Sequence, residues 1–216
     1  MNANLPIVLL GSGGHARVLL GMLRRGGYEI LGITDPRRKA GSDWMGFQVL
    51  GDDAAIERFA PDSVRLVNGI GSLPGDGGLR TRLYQRFDDL AYLFETVIDR
   101  QSFVGEDVVL AAGVQLMAGV NIQAGTQIAK NTIINSGAIV EHDCRIGPHA
   151  HIAPGAVVCG GVAIGERAHV GAGAVVIQGL RVGADSVIGA GAVVTRDVGV
   201  RQIVYPARSQ IQDLAK

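Results

Sequence analysis

Two acidic residues flank His142 in the run Glu141-His142-Asp143, a spacing suited to proton transfer. Imidazole titrates near neutral pH, so His142 can take a proton from an attacking nucleophile as a general base. A neighbouring carboxylate would hold the tautomer of the ring and stabilise the imidazolium. We predict His142 as the base and Asp143 as its catalytic partner. Glu141 stays open as the alternative partner, because Asp143 also suits a tight corner.

The stretch Gly11-Ser12-Gly13-Gly14-His15-Ala16 follows an apolar run and fits the pattern G-x-G-x-x-A. Where such a loop opens a helix, bare backbone N–H groups can bind a diphosphate. Asp35 ends the next apolar run, where its carboxylate can bind ribose hydroxyls or a base edge. The motif also fits a tight turn without a ligand, and capping or packing is an equally good role for His15. The predicted nucleotide-sugar site consists of Gly11, Ser12, Gly13, Gly14, His15 and Asp35.

A six-residue repeat fills the C-terminal half of the chain. From Val104 to Val194, sixteen consecutive hexads place Val, Leu or Ile at the same position without an insertion. The fourth position is Gly, Asn or Asp in all hexads but two, which carry His149 and Arg167. Neither a helix nor a flat strand has this period. The repeat predicts an all-β, three-sided parallel β-helix whose corners are residues that tolerate positive φ, among them Asp107, Asp143, Asp185 and Asp197.

The N-terminal half alternates in the way that is typical of a small Rossmann-like α/β unit. Strands are predicted at 6–11, 28–35, 47–51 and 64–70, and helices at 14–26, 52–60 and about 78–87. All ten aromatic residues lie outside residues 104–199. We therefore predict a nucleotide-sugar-binding domain at 1–97, the β-helix at 98–200 and a C-terminal tail at 201–216. A unit of about 97 residues is small for binding a whole dinucleotide and fits a ligand with one nucleotide, such as a UDP-sugar, better.

Composition narrows the expected partners and location. The net charge is zero, so neither nucleic acid nor an anionic membrane is expected as a partner. The N-terminus has no secretion signal, and Cys144 and Cys159 fit free thiols in a reducing cytoplasm. No metal is expected, because the histidine spacing does not match that of β-helical zinc hydratases.

Histidines recur at the spacing of one coil. In a coil of 18 residues, His151 and His169 stack on one face, and His149 and Arg167 stack in the corner column. Stacking of these side chains on the solvent-exposed surface would explain their spacing without a functional role. The alternative is that His151 lines a cleft between two chains.

These motifs resemble those of left-handed β-helix sugar O/N-acyltransferases related to sialic acid O-acetyltransferase. Most similar are the 4-N-acetyltransferases that act on UDP-4-amino-4,6-dideoxy-N-acetylglucosamine in bacillosamine synthesis. The resemblance rests on G-x-G-G-H with Asp35, on N-(S/T)-x-x-x-(I/V)-E-H-(D/E)-C at Asn135 to Cys144, and on H-(I/V)-x-x-G at His151 to Gly155. The left hand of the β-helix follows from the resemblance alone.

The resemblance implies a homotrimer that binds acetyl-CoA, the co-substrate, between adjacent chains. It assigns His151, Gly160, Gly161, Ala172, Tyr205 and Pro206 to coenzyme binding, and it adds Asn135 to the nucleotide-sugar site. Two departures from the family pattern are present. Val204-Tyr205-Pro206-Ala207-Arg208 replaces the usual G-x-P-A-(K/R), and the loop SLPGDGGLRTR is longer than in the bacillosamine enzymes.

The predicted function is N-acetylation of a nucleotide-linked amino sugar, with a UDP-4-amino-4,6-dideoxy sugar as the expected substrate. Transfer is direct, since neither cysteine has a clear activating base, and a backbone N–H of Gly160-Gly161 would stabilise the oxyanion. One alternative is O-acetylation of a sialic-acid-type sugar hydroxyl. Another is a non-catalytic assembly or ligand-sensing module that retains only the β-helix.

Overall fold

Two structural units follow each other along the chain. The computed structural model describes residues 5–75 and 78–207. The first unit is a six-stranded sheet with two α-helices, and the second is a three-sided solenoid of parallel strands, so the predicted fold class is confirmed. Predictions for residues 1–4, 76–77 and 208–216, which include most of the tail, lie outside the described residues.

The first unit is built on a mostly parallel sheet. Its strands are β1 (Ile7–Leu10), β2 (Ile30–Thr34), β3 (Asp43–Trp44), β4 (Phe47–Gly51), β5 (Arg65–Asn68) and β6 (Leu93–Phe94). They lie in the order β3-β4-β2-β1-β5-β6, and β3 pairs antiparallel with β4. The central strand β1 consists of four aliphatic residues that are all fully buried, as expected for a strand covered on both faces.

The helices connect these strands. Helix α1 (Gly14–Gly26) begins after the glycine loop and ends at Gly27, whose φ of 77° provides a left-handed cap. Helix α2 is Leu79–Asp89. The predicted helix at 52–60 is instead a 3₁₀ helix, Asp53–Arg58, because the segment between the Asp52 cap and extended Phe59 is short. No helix in the described part of the chain is long and apolar enough to cross a membrane.

The solenoid has three faces, each a parallel sheet of two-residue strands. The first face contains β7 (Val97–Ile98), β10 (Gln115–Leu116), β13 (Ile133–Ile134), β16 (His151–Ile152), β19 (His169–Val170), β22 (Val187–Ile188) and β24 (Ile203–Val204). The second face contains β8 (Phe103–Val104), β11 (Asn121–Ile122), β14 (Ile139–Val140), β17 (Val157–Val158), β20 (Val175–Val176) and β23 (Val193–Val194). The third face contains β9 (Val109–Leu110), β12 (Gln127–Ile128), β15 (Arg145–Ile146), β18 (Ala163–Ile164) and β21 (Arg181–Val182).

The hexad pattern accounts for the core and for the corners of the solenoid. The repeated aliphatic residues face the axis, and Ile134 and Ile152 are fully buried. The corner column has positive φ from Asp107 (55°) to Gly191 (70°). The prediction for Asp197 was wrong: its φ is not positive, its carboxylate accepts a hydrogen bond from the Arg181 N–H, and Arg201, with φ of 56°, forms the corner before β24.

The first unit is fixed to the first face of the solenoid. Leu19 and Met22 of α1 belong to the same hydrophobic cluster as Val97 and Leu116. Arg25 of α1 also forms an ion pair with Asp99 at the start of the solenoid, with Nη2 and Oδ2 2.5 Å apart. The glycine loop at the beginning of α1 is therefore held at a defined position on this face.

Gly191 offers a test of the corner column. An added Cβ would meet no heavy atom within 4 Å, so only the backbone conformation opposes a side chain there. We expect Gly191→Val to lower the free energy of unfolding by about 1–2 kcal/mol more than Gly191→Asn, because asparagine tolerates the left-handed region and a β-branched residue does not. Denaturant unfolding of both variants measures the difference. An equal loss in the two variants would contradict the assigned role of the corner.

Candidate active site

His142 and Asp143 form a hydrogen-bonded pair at the corner between the second and third faces. Asp143 has φ of 58°, and its Oδ2 lies 2.8 Å from Nδ1 of His142. A carboxylate only accepts, so Nδ1 carries a proton, and in the neutral form of the ring Nε2 has the lone pair. Both side chains are largely exposed, at 64% and 73%. Glu141 was the alternative partner, but the ring bonds to Asp143, because the left-handed corner turns that carboxylate back.

Two glycines make room for this pair. A Cβ on Gly160, one coil further, would lie 2.5 Å from Nε2 of His142. A Cβ on Gly125, one coil earlier, would lie 2.7 Å from Oδ1 of Asp143. A side chain at either position would collide with the ring or the carboxylate where they now lie.

The amides of Gly160 and Gly161 differ in what they can bind. The Gly161 N–H donates to the backbone oxygen of His142 at 2.9 Å, so of the two amides in the predicted corner this one is already hydrogen-bonded, and coenzyme binding by Gly161 stays a prediction. No hydrogen bond from the Gly160 N–H is present within residues 5–75 and 78–207. Gly160, next to Nε2 of the histidine, thus remains the candidate oxyanion donor.

The glycine loop borders a pocket of about 450 Å³. A Cβ on Gly13 or Gly14 would meet no heavy atom within 4 Å, and neither residue has positive φ, so packing within the chain does not require glycine there. Helix α1 has no acidic residue in its first turn and no side-chain cap, which leaves its N–H groups and dipole free for an anion. The lining also includes Gly11, His15, Asp35, Asp53 and Ile70.

Asp35 is hydrogen-bonded within the chain. Arg37 donates to it from Nε at 3.0 Å and from Nη2 at 2.9 Å, and the Ser12 hydroxyl donates at 2.5 Å. The Arg37 guanidinium holds the pKa of this carboxyl well below its usual range. Asp35 is 1% exposed, so it and Ser12 shape the loop. Contact of these two residues with a nucleotide stays a prediction.

His15 connects the glycine loop to the solenoid. Its Nε2 lies 2.7 Å from Oε1 of Gln115, a buried residue of β10. Burial, followed by the nearby charge of Arg80, lowers the pKa of His15 to about 3, so the ring is neutral at physiological pH. Gln115 was not predicted from the sequence. The available signal was a polar residue in an outward position of the first face, where Val97 and Ile133 are apolar.

A buried arginine lies at the seam between the units. Arg80 is 2% exposed, and its Nη1 donates to the backbone oxygens of Asn68 at 2.9 Å and Ile70 at 2.6 Å. Its Nε and Nη2 donate to the backbone oxygen of Asn131 on the solenoid, each at 3.3 Å. Burial lowers its pKa to about 9. Sequence reasoning missed Arg80, since nothing distinguishes it from the exposed arginines around it.

The expectation that His149 and His151 are exposed was wrong. Each is 7% exposed, because the first unit covers this part of the solenoid. The rings of Tyr84 and His149 pack edge to face with centroids 5.5 Å apart, and Nδ1 of His151 lies 2.8 Å from the Ser72 backbone oxygen. Burial lowers the pKa of both histidines to about 4.

His151 also contacts two residues of the solenoid. The Asn135 side-chain amide nitrogen lies 3.2 Å from Nε2 of His151, so Nδ1 is the nitrogen that donates to Ser72. The His151 and His169 rings stack edge to face at 4.9 Å, as their spacing of one coil predicts. Coenzyme binding by His151 and substrate binding by Asn135 stay predictions.

The other predicted coenzyme residues lie on other edges of the solenoid. Ala172 is exposed at the corner between the first and second faces. Tyr205 is 77% exposed after β24, and Pro206 packs over Gly189. Their contact with coenzyme A stays a prediction, and Arg208 of the same motif lies outside the described residues.

The Cys144 thiol is held within the solenoid. Burial raises the pKa of Cys144 to about 11, and its thiol donates to the Cys159 backbone oxygen at 3.2 Å. No three His, Cys, Asp or Glu side chains of this part of the chain are grouped to bind a metal ion.

One chain does not bring the two predicted sites together. The first unit contacts the first face through Gln115 and the adjacent corner through Asn131 and His149. His142 lies at the corner between the second and third faces, on a different edge of the prism.

Comparisons with known protein families match both units. Residues 6–87 match the PglD N-terminal domain. Residues 125–160 match the bacterial transferase hexapeptide (six repeats), and residues 161–196 match the hexapeptide repeat of succinyl-transferase. A comparison with curated proteins found no match.

Solved structures resemble the chain over nearly its full length. PerB from Caulobacter crescentus in complex with CoA and GDP-perosamine is 38% identical, with a TM-score of 0.83 over 93% of this chain and 94% of that one. This Caulobacter perosamine N-acetyltransferase has also been solved, with the same ligands, as variants in which one histidine is replaced by asparagine or alanine. The acetyltransferase domain of PglB from Neisseria gonorrhoeae with acetyl coenzyme A is 27% identical, with a TM-score of 0.85 over 96% and 100% of the two chains. WeeI from Acinetobacter baumannii shares the fold at 22% identity and a TM-score of 0.82, covering 92% of this chain and 95% of that one.

The buried histidines predict an acid-sensitive native state. Unfolded histidine has a pKa of about 6.5, so below this pH the unfolded chain binds protons that native His149 does not bind until about pH 4. The free energy of unfolding should therefore fall as the pH falls through this window. We expect His149→Asn, which tolerates the φ of 59°, to reduce the loss between pH 7 and pH 5 by on the order of 1–2 kcal/mol. Denaturant unfolding at both pH values checks this, and a loss equal to that of the wild type would refute it.

Proposed function

The chain belongs to the left-handed β-helix sugar acetyltransferases, and from this premise we propose that it transfers an acetyl group from acetyl-CoA to the amino group of a nucleotide-linked sugar. Membership in this family confirms the resemblance and the enzyme class predicted from the sequence. The observation that carries the proposal is the His142–Asp143 pair, with a free Nε2 on an exposed edge of the solenoid.

The proposed mechanism is direct transfer. A neutral sugar amine attacks the thioester carbonyl, an N–C bond forms, and Nε2 of His142 takes the amine proton. The Gly160 N–H stabilises the oxyanion of the tetrahedral intermediate. The C–S bond then breaks, and the imidazolium returns its proton to the departing thiolate. Proton transfer of this kind contributes about 10²–10⁴-fold to the rate.

The acceptor is proposed to be an amine. The Caulobacter relative is an N-acetyltransferase with GDP-perosamine bound, which favours an amine over the hydroxyl of a sialic-acid-type sugar. The sequence resemblance favoured UDP as the nucleotide, whereas this relative carries GDP.

Thiol release from acetyl-CoA with a UDP-linked 4-amino sugar, GDP-perosamine and a sialic acid, followed by mass spectrometry of the products, separates these substrates. Acetylation of the sialic acid alone would favour the O-acetyltransferase alternative. Absence of turnover with all three, at saturating acetyl-CoA, would favour the non-catalytic alternative.

The active unit is proposed to be a homotrimer in which two chains share each site. The glycine loop is tied to the first face of its own chain, while His142 lies on a different edge. A nucleotide sugar held at the loop of one chain would therefore meet His142 of a neighbouring chain. Cytoplasmic location also remains part of the proposal.

Replacing His142 tests the general base. We expect His142→Ala to lower kcat by about 10²–10⁴-fold, with the oligomeric state unchanged, because the exposed ring contributes little to packing. Asp143→Asn should lower kcat less, whereas Glu141→Gln, beside the same ring but not bonded to it, should stay within about twofold of the wild type. Steady-state kinetics by thiol release measures all three. An unchanged kcat for His142→Ala would remove this residue from the mechanism.

Mixing two inactive variants tests the shared site. Gly14→Asp meets no steric conflict in the chain, but its charge should repel a diphosphate at the loop. If each site takes its loop and its base from different chains, an equal mixture of Gly14→Asp and His142→Ala chains, unfolded and refolded together, should regain about a quarter of wild-type activity. Each variant refolded alone is the control. No recovery in mixed oligomers verified by mass spectrometry would place both parts of the site in one chain.

A further inference from the structure

His15 and Gln115 form a hydrogen-bonded pair that the acetyl-transfer chemistry does not use. His15 is the second residue of α1 and lines the pocket at the glycine loop. Gln115 is fully buried on β10, in the other structural unit. Their side chains meet at 2.7 Å between Nε2 and Oε1, so the solenoid contacts the wall of the nucleotide-sugar pocket directly.

A second contact fixes the orientation of the Gln115 amide. Its Nε2 lies 2.8 Å from the backbone oxygen of Asn68, and because that oxygen can only accept, the amide nitrogen must face it. The amide oxygen then faces His15, where it requires an N–H on Nε2 of the ring. The geometry thus determines the tautomer of His15.

This tautomer leaves the other ring nitrogen as an acceptor. Burial and the charge of Arg80 lower the pKa of His15 to about 3, so no second proton is bound at neutral pH. Within the part of the chain that the structure describes, no group hydrogen-bonds to Nδ1. The atom retains accessible surface, so a donor on a ligand in the pocket can take the place of solvent at this acceptor.

We infer that Gln115 is a positioning residue of the nucleotide-sugar pocket. By holding the His15 proton on Nε2, it presents Nδ1 to an O–H or N–H group that the bound nucleotide sugar carries beside its diphosphate. His15 follows Gly14 directly, so the group it meets lies next to the phosphates at the start of α1. The inference takes the class of ligand from the proposed function. The pocket then selects sugars with a donor at this position, and the solenoid helps to set that selectivity.

Nitrogen-15 NMR of histidine-labelled protein reads the tautomer, with His15→Gln used to assign the signals. We expect a protonated-type shift at Nε2 and an unprotonated-type shift at Nδ1 at pH 7. Saturating GDP-mannose or UDP-N-acetylglucosamine, used as binding probes, should move the Nδ1 signal upfield. A proton on Nδ1, a charged ring, or an unmoved Nδ1 signal with both probes would overturn the inference. A correct tautomer and shift without acetyl transfer would uphold it and count against the proposed function alone.

Variants distinguish positioning from a purely structural role. Gln115→Met keeps the length of the side chain and removes both hydrogen bonds, so we expect KM for the amino sugar to rise about tenfold, as for one lost oriented hydrogen bond. The kcat and the KM for acetyl-CoA should stay within about twofold, because His142 lies on another edge. Gln85→Met, on the exposed side of α2, is the matched control and should behave as the wild type.

The two ring nitrogens can also be replaced one at a time. His15→Asn keeps an acceptor near the Nδ1 position, whereas His15→Gln reaches Gln115 but lacks that acceptor. We expect His15→Asn to bind the nucleotide-sugar probes more tightly than His15→Gln, as measured by calorimetry. Tighter binding by His15→Gln would contradict the inference, and this comparison stands even where Gln115→Met fails to fold.

Discussion

The arrangement of the two units depends on how the charge of Arg80 is accommodated. A guanidinium buried away from water is costly unless its donors are hydrogen-bonded, and no carboxylate of the described chain pairs with this one. Backbone oxygens from both units bind it instead: Asn68 and Ile70 from the first unit and Asn131 from the solenoid. Sliding or separating the units would break these bonds and leave the charge unsatisfied. The hydrogen bonds of Arg80 therefore also help to fix the position of the glycine loop on the first face.

The buried charge of Arg80 lies near three of the histidines, whereas His142 lies elsewhere on the solenoid. Arg80 contributes to the lowered pKa of His15, His149 and His151, although burial is the larger cause in each. These rings are neutral hydrogen-bonding groups with fixed tautomers, and they serve the junction. His142 lies apart from them on an exposed edge, bonded to Asp143. Three of the five histidines thus hold the junction together, and His142 lies exposed at the proposed active site.

The features that could be predicted from the sequence are those encoded by a repeat or by residues close together in the chain. The hexads specified the faces, the axis and the left-handed corners, because one aliphatic residue in six must point inward throughout. The glycine loop and α1 followed from a short motif, and His142 from its flanking acids. The choice of Asp143 over Glu141 required the φ of the corner. The hydrogen bond of the Gly161 N–H required the position of His142 in the preceding coil. Arg80 and Gln115 could not be predicted, because Asn131, which binds Arg80, and His15 and Asn68, which bind Gln115, are distant in sequence and belong to the other unit.

From β7 to β23 each strand pairs with a strand 18 residues away, as in Ile133 with His151, and this spacing restricts how the length of the solenoid can change. Adding or deleting six residues would rotate all later side chains to the next face and carry His142 or its neighbours to the wrong edge. Only whole coils preserve the alignment, and each lengthens the prism by about 4.8 Å. We therefore expect the solenoid to accept insertions and deletions within its strands only as whole coils.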